Sequence, residues 1–190
     1  WFRDGTFSLL RLPGLWRCSL YAGKEQTVEE ALLPENIEAR LQVIVATDTP
    51  YEVGEIRPYR IHQRILDDYR VGRILFVGDA AHLNSPSGGM GMNGGIHDAW
   101  SLTELLSPVW KGEADIGSLD RYTRQRQPVA QEQILIQAHK NRSRMQERDQ
   151  AKREQELARL QAIAGDPVKA REHLLKSSMI EGLRRAQSIE

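Results

Sequence analysis

Apolar and polar residues form two short β-prone runs near the amino-terminal end of the chain. The runs cover residues 6–12 and 15–21, and Pro13 and Gly14 between them supply the geometry of a tight turn. The pattern therefore predicts a β-hairpin in this region.

Three further elements are predicted before the middle of the chain. Apolar residues recur at helical spacing over 34–45, and Pro34 suits the first turn of a helix. Residues 51–62 predict a strand that Pro58 interrupts. Residues 73–78 form a continuous apolar run, which is typical of a strand covered on both faces in an α/β sheet.

The carboxyl-terminal part of the pattern is helical. A helix is predicted over about 93–110, and helical spacing continues almost throughout from Leu119 onward. Asp166 and Pro167 stand where the N-cap and the first residue of a helix are expected. The predicted apolar stripes are Ala99, Leu102, Leu105 and Leu106 in the first helix, and Leu174, Leu175, Met179 and Leu183 in the last.

The composition excludes several classes of protein. Lys and Arg together number 26, as do Asp and Glu, so the formal net charge of the 190 residues is zero. A general nucleic-acid binder needs a surplus of positive charge, and a membrane helix needs about 20 consecutive apolar residues, which this sequence lacks. The single cysteine, Cys18, excludes an internal disulfide framework. These features predict a cytoplasmic protein with neither a nucleic-acid nor a membrane partner.

Residues 73–99 carry the candidate chemistry. Asp79 follows the carboxyl end of the predicted buried strand, which is where open α/β sheets bind ligands. A carboxylate there can accept hydrogen bonds from the hydroxyl groups of a sugar or sugar alcohol. Glycines between this strand and the next helix let the backbone approach a flat ligand closely. They are Gly88, Gly89, Gly91, Gly94 and Gly95.

One glycine pattern in this segment does not indicate a Rossmann turn. Residues 89–94 match G-x-G-x-x-G, but the dinucleotide fingerprint requires these glycines directly after a strand. Here residues 79–87 intervene. The fingerprint itself is found nowhere in the sequence.

Two motifs in the segment occur together in a known family. Residues 78–82 read GDAAH, and residues 86–99 follow the pattern P-x-G-G-x-G-M-N-x-G-x-x-D-A. Further along, Leu119–Tyr122 and Arg126–Pro128 match the spacing L-x-x-Y-x-x-x-R-x-P. Together they resemble the second FAD-binding motif, and the segment after it, of the para-hydroxybenzoate hydroxylase-like monooxygenases, a family of FAD-dependent aromatic hydroxylases.

The resemblance implies a fold and a division of the chain. The fold class is α/β, here an α+β fragment of a Rossmann-like FAD-binding monooxygenase fold. Residues 1–66 are expected to belong to a substrate-binding β-sheet domain, residues 67–130 to the second half of the FAD-binding domain, and residues 131–190 to a carboxyl-terminal helical region. The chain begins at Trp1 and lacks both the Rossmann glycines and the family's NAD(P)H-linked motif. We therefore expect a carboxyl-terminal fragment that does not hold FAD tightly by itself.

The resemblance also implies roles for individual residues. Asp79 is expected to hydrogen-bond the ribityl chain of FAD, and the catalytic position is Pro86, beside the isoalloxazine near the carbon that reacts with oxygen. The backbone N–H groups of Met92 and Asn93 are expected to bind the pyrimidine end of the flavin. The full cofactor-binding set is Gly78, Asp79, Gly88, Gly89, Gly91, Met92 and Asn93.

The chain departs from the family pattern at two positions. Ser85 stands where the family usually has a first proline, and Met90 stands where several members carry glutamine. Both departures concern the substrate side of the site more than the flavin side.

Other reactive residue types favour structural roles. No His and Asp pair in the segment has a spacing that commits to a metal, so no metal ligand is predicted. Asp98 is expected to face a backbone group or an arginine. Ser85 and Ser87 are not part of a nucleophile elbow and are predicted to be loop hydroxyls. Trp16 and Cys18 are predicted to be core residues.

By this resemblance the protein is an FAD-dependent monooxygenase that uses NAD(P)H as reductant and O2 to hydroxylate an aromatic or related small molecule. Its partners are then that substrate and the amino-terminal half of the same flavoprotein, and a homodimer is left open. Two alternatives also stay open. One is a flavin-dependent reductase or dehydrogenase on the same scaffold, and the other is a non-catalytic helical interaction fragment.

Overall fold

The computed structural model describes residues 7–22, 26–87 and 89–190, with the side chain of residue 133 left aside. The chain divides into two units, of which the first ends at Arg60 and the second spans Ile61–Glu190. None of the helices in the described ranges is both long enough and apolar enough to cross a membrane.

The first unit contains the predicted hairpin. β1 (Phe7–Leu12) and β2 (Leu15–Leu20) pair antiparallel with Leu12 opposite Leu15, so Pro13 and Gly14 form the turn, as predicted. Thr6 lies outside the described residues. The prediction that Trp16 is a core residue is wrong, since its side chain is 61% exposed. Among the described residues β1 pairs only with β2, so no further strand covers the face of the hairpin that carries Trp16.

Two helices follow the hairpin. α1 (Val28–Ala31) begins with a capping box between Thr27 and Glu30, and α2 (Pro34–Ile44) has Pro34 in its first turn, as predicted. The strand predicted over 51–62 is wrong, because these residues form no regular element. The Tyr51 N–H instead donates to Glu38 Oε2 (3.0 Å), so a side chain satisfies the backbone there.

The second unit begins with two short antiparallel pairs of strands. β3 (Arg64–Ile65) pairs with β6 (His82–Leu83), and β4 (Arg70–Val71) pairs with β5 (Ile74–Leu75). The buried strand predicted over 73–78 is therefore wrong in length and in burial, since Ile74 is 60% exposed. A strand is covered on both faces only between neighbouring strands and helices, and β4 is the one described strand beside β5.

Helices make up most of the remaining chain, as predicted from Leu119 onward. They are α3 (Met90–Trp110), α4 (Asp120–Val129), a π-helical stretch (Ala130–Leu135), α5 (Ile136–Gln146), α6 (Gln150–Ala164), α7 (Pro167–Ser177) and α8 (Ile180–Gln187). The Asp166 carboxylate caps α7 through the N–H groups of Val168 (3.0 Å) and Lys169 (3.2 Å). The last helix is predicted as one but is two, because the chain turns at Met179, whose φ is +65°.

The core of the second unit lies between α3, α4 and the strands that precede them. Its buried members are Tyr69, Ala81, Met90, Leu102, Tyr122, Ala130, Ile134 and Met179. α3 buries Met90, Gly94, Asp98 and Leu102, which follow one another at intervals of four residues along one face. Ala99 was predicted in this stripe and is exposed, since it lies about 100° further round the helix. The buried stripe of α3 thus contains a carboxylate.

Candidate active site

A tight turn that follows β5 after two intervening residues carries Asp79. Residues Gly78–Ala80 form a single 3₁₀ turn, and Gly78 has a φ of +58°, which glycine adopts without strain. The Asp79 side chain is exposed and forms no hydrogen bond or ion pair with the described residues. Its carboxylate is therefore available as an acceptor for an external ligand.

The start of α3 presents backbone donors. The helix begins at Met90, three residues before the predicted start, because Gly89 (φ +65°) takes the N-cap position and donates its N–H to the Pro86 carbonyl (3.1 Å). The N–H groups of Met90, Gly91 and Met92 consequently have no acceptor within the helix. The amide of Asn93 is the first that can bond back to Gly89. The donors without a helical acceptor thus include the Met92 N–H, and the binding of a flavin by the Met92 and Asn93 N–H groups stays a prediction.

Hydroxyl groups fix the loop between the turn and α3. Ser85 and Ser87 are buried, the Ser85 hydroxyl donates to Ser87 Oγ (3.0 Å), and the Ser87 N–H donates back to Ser85 Oγ (3.3 Å). Pro86, between them, is exposed. The two serines are loop hydroxyls as predicted, and they restrain the backbone on both sides of Pro86. Gly88, predicted as a cofactor-binding residue, lies outside the described residues.

The glycines of α3 let the helix lie directly against the preceding segment. A Cβ at Gly95 would stand 3.3 Å from the Gly78 Cα, and one at Gly91 would stand 2.8 Å from Asn84 Oδ1. A Cβ at Gly94 would overlap Ile134 Cδ1 at 2.4 Å. The sequence interpretation assigned these glycines to close contact with a ligand. At these three positions the close contact is with the protein's own chain.

A buried carboxylate joins three elements beneath the turn. Asp98 is fully buried; its Oδ1 accepts from Arg126 Nε (2.7 Å), and its Oδ2 lies 2.7 Å from His82 Nε2. The same Oδ2 accepts the Gly78 N–H (3.3 Å). The prediction that Asp98 faces a backbone group or an arginine is confirmed, and it faces both. Asp98 thereby ties α3 to α4, to β6 and to the Asp79 turn.

Two buried tyrosines pack in the same region, Tyr122 on α4 and Tyr69 directly before β4. The Tyr122 hydroxyl donates to the Phe76 carbonyl (3.0 Å), just before the turn, and Tyr69 stacks on His82 with ring centroids 6.2 Å apart. Burial raises the pKa of both phenols well above the usual value for tyrosine, so both stay neutral. Tyr122 restrains the segment between β5 and the turn, and Tyr69 packs on His82 of β6. Neither phenol is suited to acid–base chemistry near neutral pH.

The sequence predicts the kinds of partner that Asp98 faces, but not that they are Arg126, the Gly78 amide and His82. Arg126 and Tyr122 were part of the recognised segment, but no function followed from their spacing alone. One signal was present, since Asp98 stands four residues from both Gly94 and Leu102, on the face that α3 buries. An acidic residue on a buried helix face needs a buried partner.

The described residues offer little support for other site types. Among them, no three His, Cys, Asp or Glu side chains lie close enough together to hold a metal ion. A cleft of about 210 Å³ between α3, α4 and α8 is lined by residues such as Trp100, Arg121 and Gln125. Neither Asp79 nor Pro86 borders this cleft.

Comparison with known proteins gives a consistent result. A family model described as an FAD binding domain matches residues 11–138. The chain is 35% identical over 175 residues to para-nitrophenol 4-monooxygenase of Pseudomonas sp. (strain WBC-3), an alignment that covers 90% of this chain and 43% of the relative. It is 46% identical over 81 residues to pentachlorophenol 4-monooxygenase of Sphingobium chlorophenolicum, covering 43% of this chain and 15% of the relative.

The structural comparison agrees with the sequence comparison. The crystal structure of p-nitrophenol 4-monooxygenase from Pseudomonas putida DLL-E4 superposes with a TM-score of 0.72 and 32% sequence identity. The superposition covers 92% of this chain and 44% of that one. The chain thus spans less than half the length of these relatives.

Proposed function

Because the chain belongs to the family of FAD-dependent aromatic hydroxylases that this FAD binding domain defines, we propose that it supplies the flavin-facing part of an FAD-dependent monooxygenase. The observation that carries the proposal is the pairing of a free carboxylate with free helix amides. Asp79 is exposed on a turn that packs against α3, and the first turn of α3 offers N–H groups without acceptors.

The described residues fit the riboflavin part of FAD. A ribityl chain carries hydroxyl donors, for which the Asp79 carboxylate is a suitable acceptor. The pyrimidine edge of the flavin carries carbonyl oxygens and collects negative charge on reduction, and the amides of Met90, Gly91 and Met92 are suitable donors for it. A helix N-terminus also carries a partial positive charge, which favours that charge.

The rest of the site divides between this chain and other segments. FAD, when bound, supplies the redox chemistry, taking electrons from NAD(P)H and delivering them to O2. Pro86, exposed at the loop tip, has no N–H group, so it can pack against the ring without a hydrogen-bond demand of its own. Ser85 and Ser87 hold that loop in place. We assign the ADP end of FAD to an amino-terminal portion of the same flavoprotein.

The names of the relatives support a proposal about the substrate class. Two of them are named for the 4-monooxygenation of a nitrophenol and of a chlorophenol. We therefore propose an aromatic substrate of the phenol class, with NAD(P)H as the reductant.

One experiment on the complete flavoprotein that contains these residues tests the proposal. The purified protein should show the visible absorption bands of bound flavin, and NAD(P)H oxidation should consume O2 in the presence of a phenol. With ¹⁸O2, one labelled oxygen atom should appear in the product. Bound flavin with NAD(P)H oxidation but no label would favour the reductase alternative. Absence of flavin binding would overturn the proposal and favour the interaction fragment.

A charge placed in the first turn of α3 should disturb the flavin without disturbing the helix. Met92 is 74% exposed at the third helical position, where an acidic side chain favours the helix dipole. Met92→Glu should nevertheless lower the reduction potential of the bound flavin, by an amount equivalent to about 1 kcal/mol or less, because the carboxylate opposes charge on the reduced ring. Spectroelectrochemical titration measures this, with Met92→Gln as the uncharged control. Equal potentials in the two variants would show that the helix does not face the ring.

A further inference from the structure

Asp98 is buried, yet its contacts reach the residues proposed to hold the flavin. Through one oxygen it binds Arg126, and through the other it accepts the Gly78 N–H and contacts His82. Gly78 is the residue directly before Asp79. The orientation of the Asp79 turn therefore depends on a carboxylate that belongs to α3.

A direct backbone contact also holds the Asp79 turn against α3. Gly78 and Gly95 approach so closely that a Cβ on either one would lie within about 3.4 Å of the Cα of the other. The two segments thus touch backbone to backbone, with no flexible side chain between them to absorb a shift. The Gly78 N–H also donates to the Asp98 carboxylate, and Asp98 lies on the same helix as Gly95. This hydrogen bond restrains the turn against α3 at a second point.

We propose that Asp98 is a positioning residue for flavin binding: it locks the Asp79 turn to α3, so that the Asp79 carboxylate and the free amides of Met90–Met92 face one ligand together. The inference rests on the proposed function. It assigns a role in flavin binding to a buried residue that does not touch the ligand. It assigns the same positioning role to Gly95, through the contact of Gly95 with Gly78.

The first variant removes the anchor. In Asp98→Asn the side chain keeps one acceptor oxygen, but the other oxygen becomes an NH₂ group. This group faces the N–H of either Arg126 or Gly78, and an NH₂ group cannot accept a hydrogen bond from either donor. In the complete flavoprotein this variant should bind FAD about tenfold more weakly, equivalent to one lost hydrogen bond, and the reduction potential of its bound flavin should fall.

The second variant leaves all charges in place. Gly95→Ala puts a methyl group 3.3 Å from the Gly78 Cα, which pushes the turn away from α3 by a few tenths of an ångström. Alanine is a better helix former than glycine, so a purely structural role for this contact predicts no loss of FAD affinity when the protein is folded. The positioning role predicts weaker FAD binding and a lower flavin potential, as for Asp98→Asn.

Two controls separate positioning from general stability. Leu102→Ala removes a buried side chain one helical turn beyond Asp98 and should lower the melting temperature, but leave FAD affinity and flavin potential near wild type when measured on the folded protein. Gly54→Ala adds a methyl group with no atom within 4 Å and should change neither the FAD affinity nor the flavin potential.

The outcomes are distinct. The inference is supported if Gly95→Ala binds FAD more weakly and has a lower flavin potential, while both controls keep the wild-type affinity and potential. This result counts even where Asp98→Asn fails to fold. Wild-type affinity and potential in Gly95→Ala, or in a folded Asp98→Asn, overturn it. Asp79→Ala in the same assay distinguishes the two levels: if it weakens FAD binding while the positioning variants do not, only the role of Asp98 is wrong. If it also has no effect, the proposed flavin site is wrong.

Discussion

Asp79→Ala is expected to weaken FAD binding about 10- to 100-fold in the complete flavoprotein, because a hydrogen bond to a charged acceptor contributes about 1.5–3 kcal/mol. The carboxylate is exposed and has no partner among the described residues, so its removal should not destabilise the fold. Equilibrium titration of apoprotein with FAD, followed by flavin fluorescence, measures the change.

Two further variants make the Asp79 result specific. Asp79→Asn keeps a neutral acceptor oxygen and should show an intermediate loss. Asp67→Ala removes another exposed carboxylate of the same unit and should leave FAD affinity unchanged. If Asp79→Ala and the wild type bind FAD with equal affinity, Asp79 is not part of the binding site.

Arg126→Met is expected to lower the free energy of unfolding by about 3–5 kcal/mol, since it leaves the buried Asp98 carboxylate without its cation. Arg126 is 1% exposed, and the Nε bond to Asp98 is the one hydrogen bond that its side chain makes with the described residues. Methionine retains much of the side-chain length, so the loss reports the charge more than the volume. Urea denaturation followed by circular dichroism measures it.

The control for this variant lies on the same helix. Arg124→Met makes the same substitution at an exposed position, where the guanidinium binds the Glu190 carbonyl, and should change stability by no more than about 0.5 kcal/mol. The double variant Arg126→Met/Asp98→Asn should lose less than the sum of the single losses, because the two changes remove opposite charges that compensate each other. Strictly additive losses would show that the pair is not coupled.

Local signals in the sequence determined many of the elements. Pro13 and Gly14 predict a turn, and Pro34 and Asp166 predict helix starts. The structure has the turn and both helix starts at these positions. Such signals depend on φ restriction and on side-chain capping within a few residues, so they do not need the rest of the fold.

Elements that depend on distant neighbours were predicted less well. The apolar run 73–78 predicts a buried strand, yet only Ile74–Leu75 is paired, because burial of a strand needs other strands beside it. Residues 51–62 have strand-like composition and form no strand, for the same reason. Strand formation is a property of the sheet more than of the segment.

For the candidate site, the sequence by itself determined the family, the Asp79 position and a glycine-rich entry to a helix, since these lie within one continuous motif. Only the tertiary structure decided that α3 begins at Met90 and that Gly91, Gly94 and Gly95 contact the protein itself. It also decided that Asp98 joins Arg126, His82 and the Gly78 amide. Arg126 is 28 residues from Asp98 along the chain. Which donors surround a buried carboxylate is set by how helices pack, and no local pattern encodes that distance.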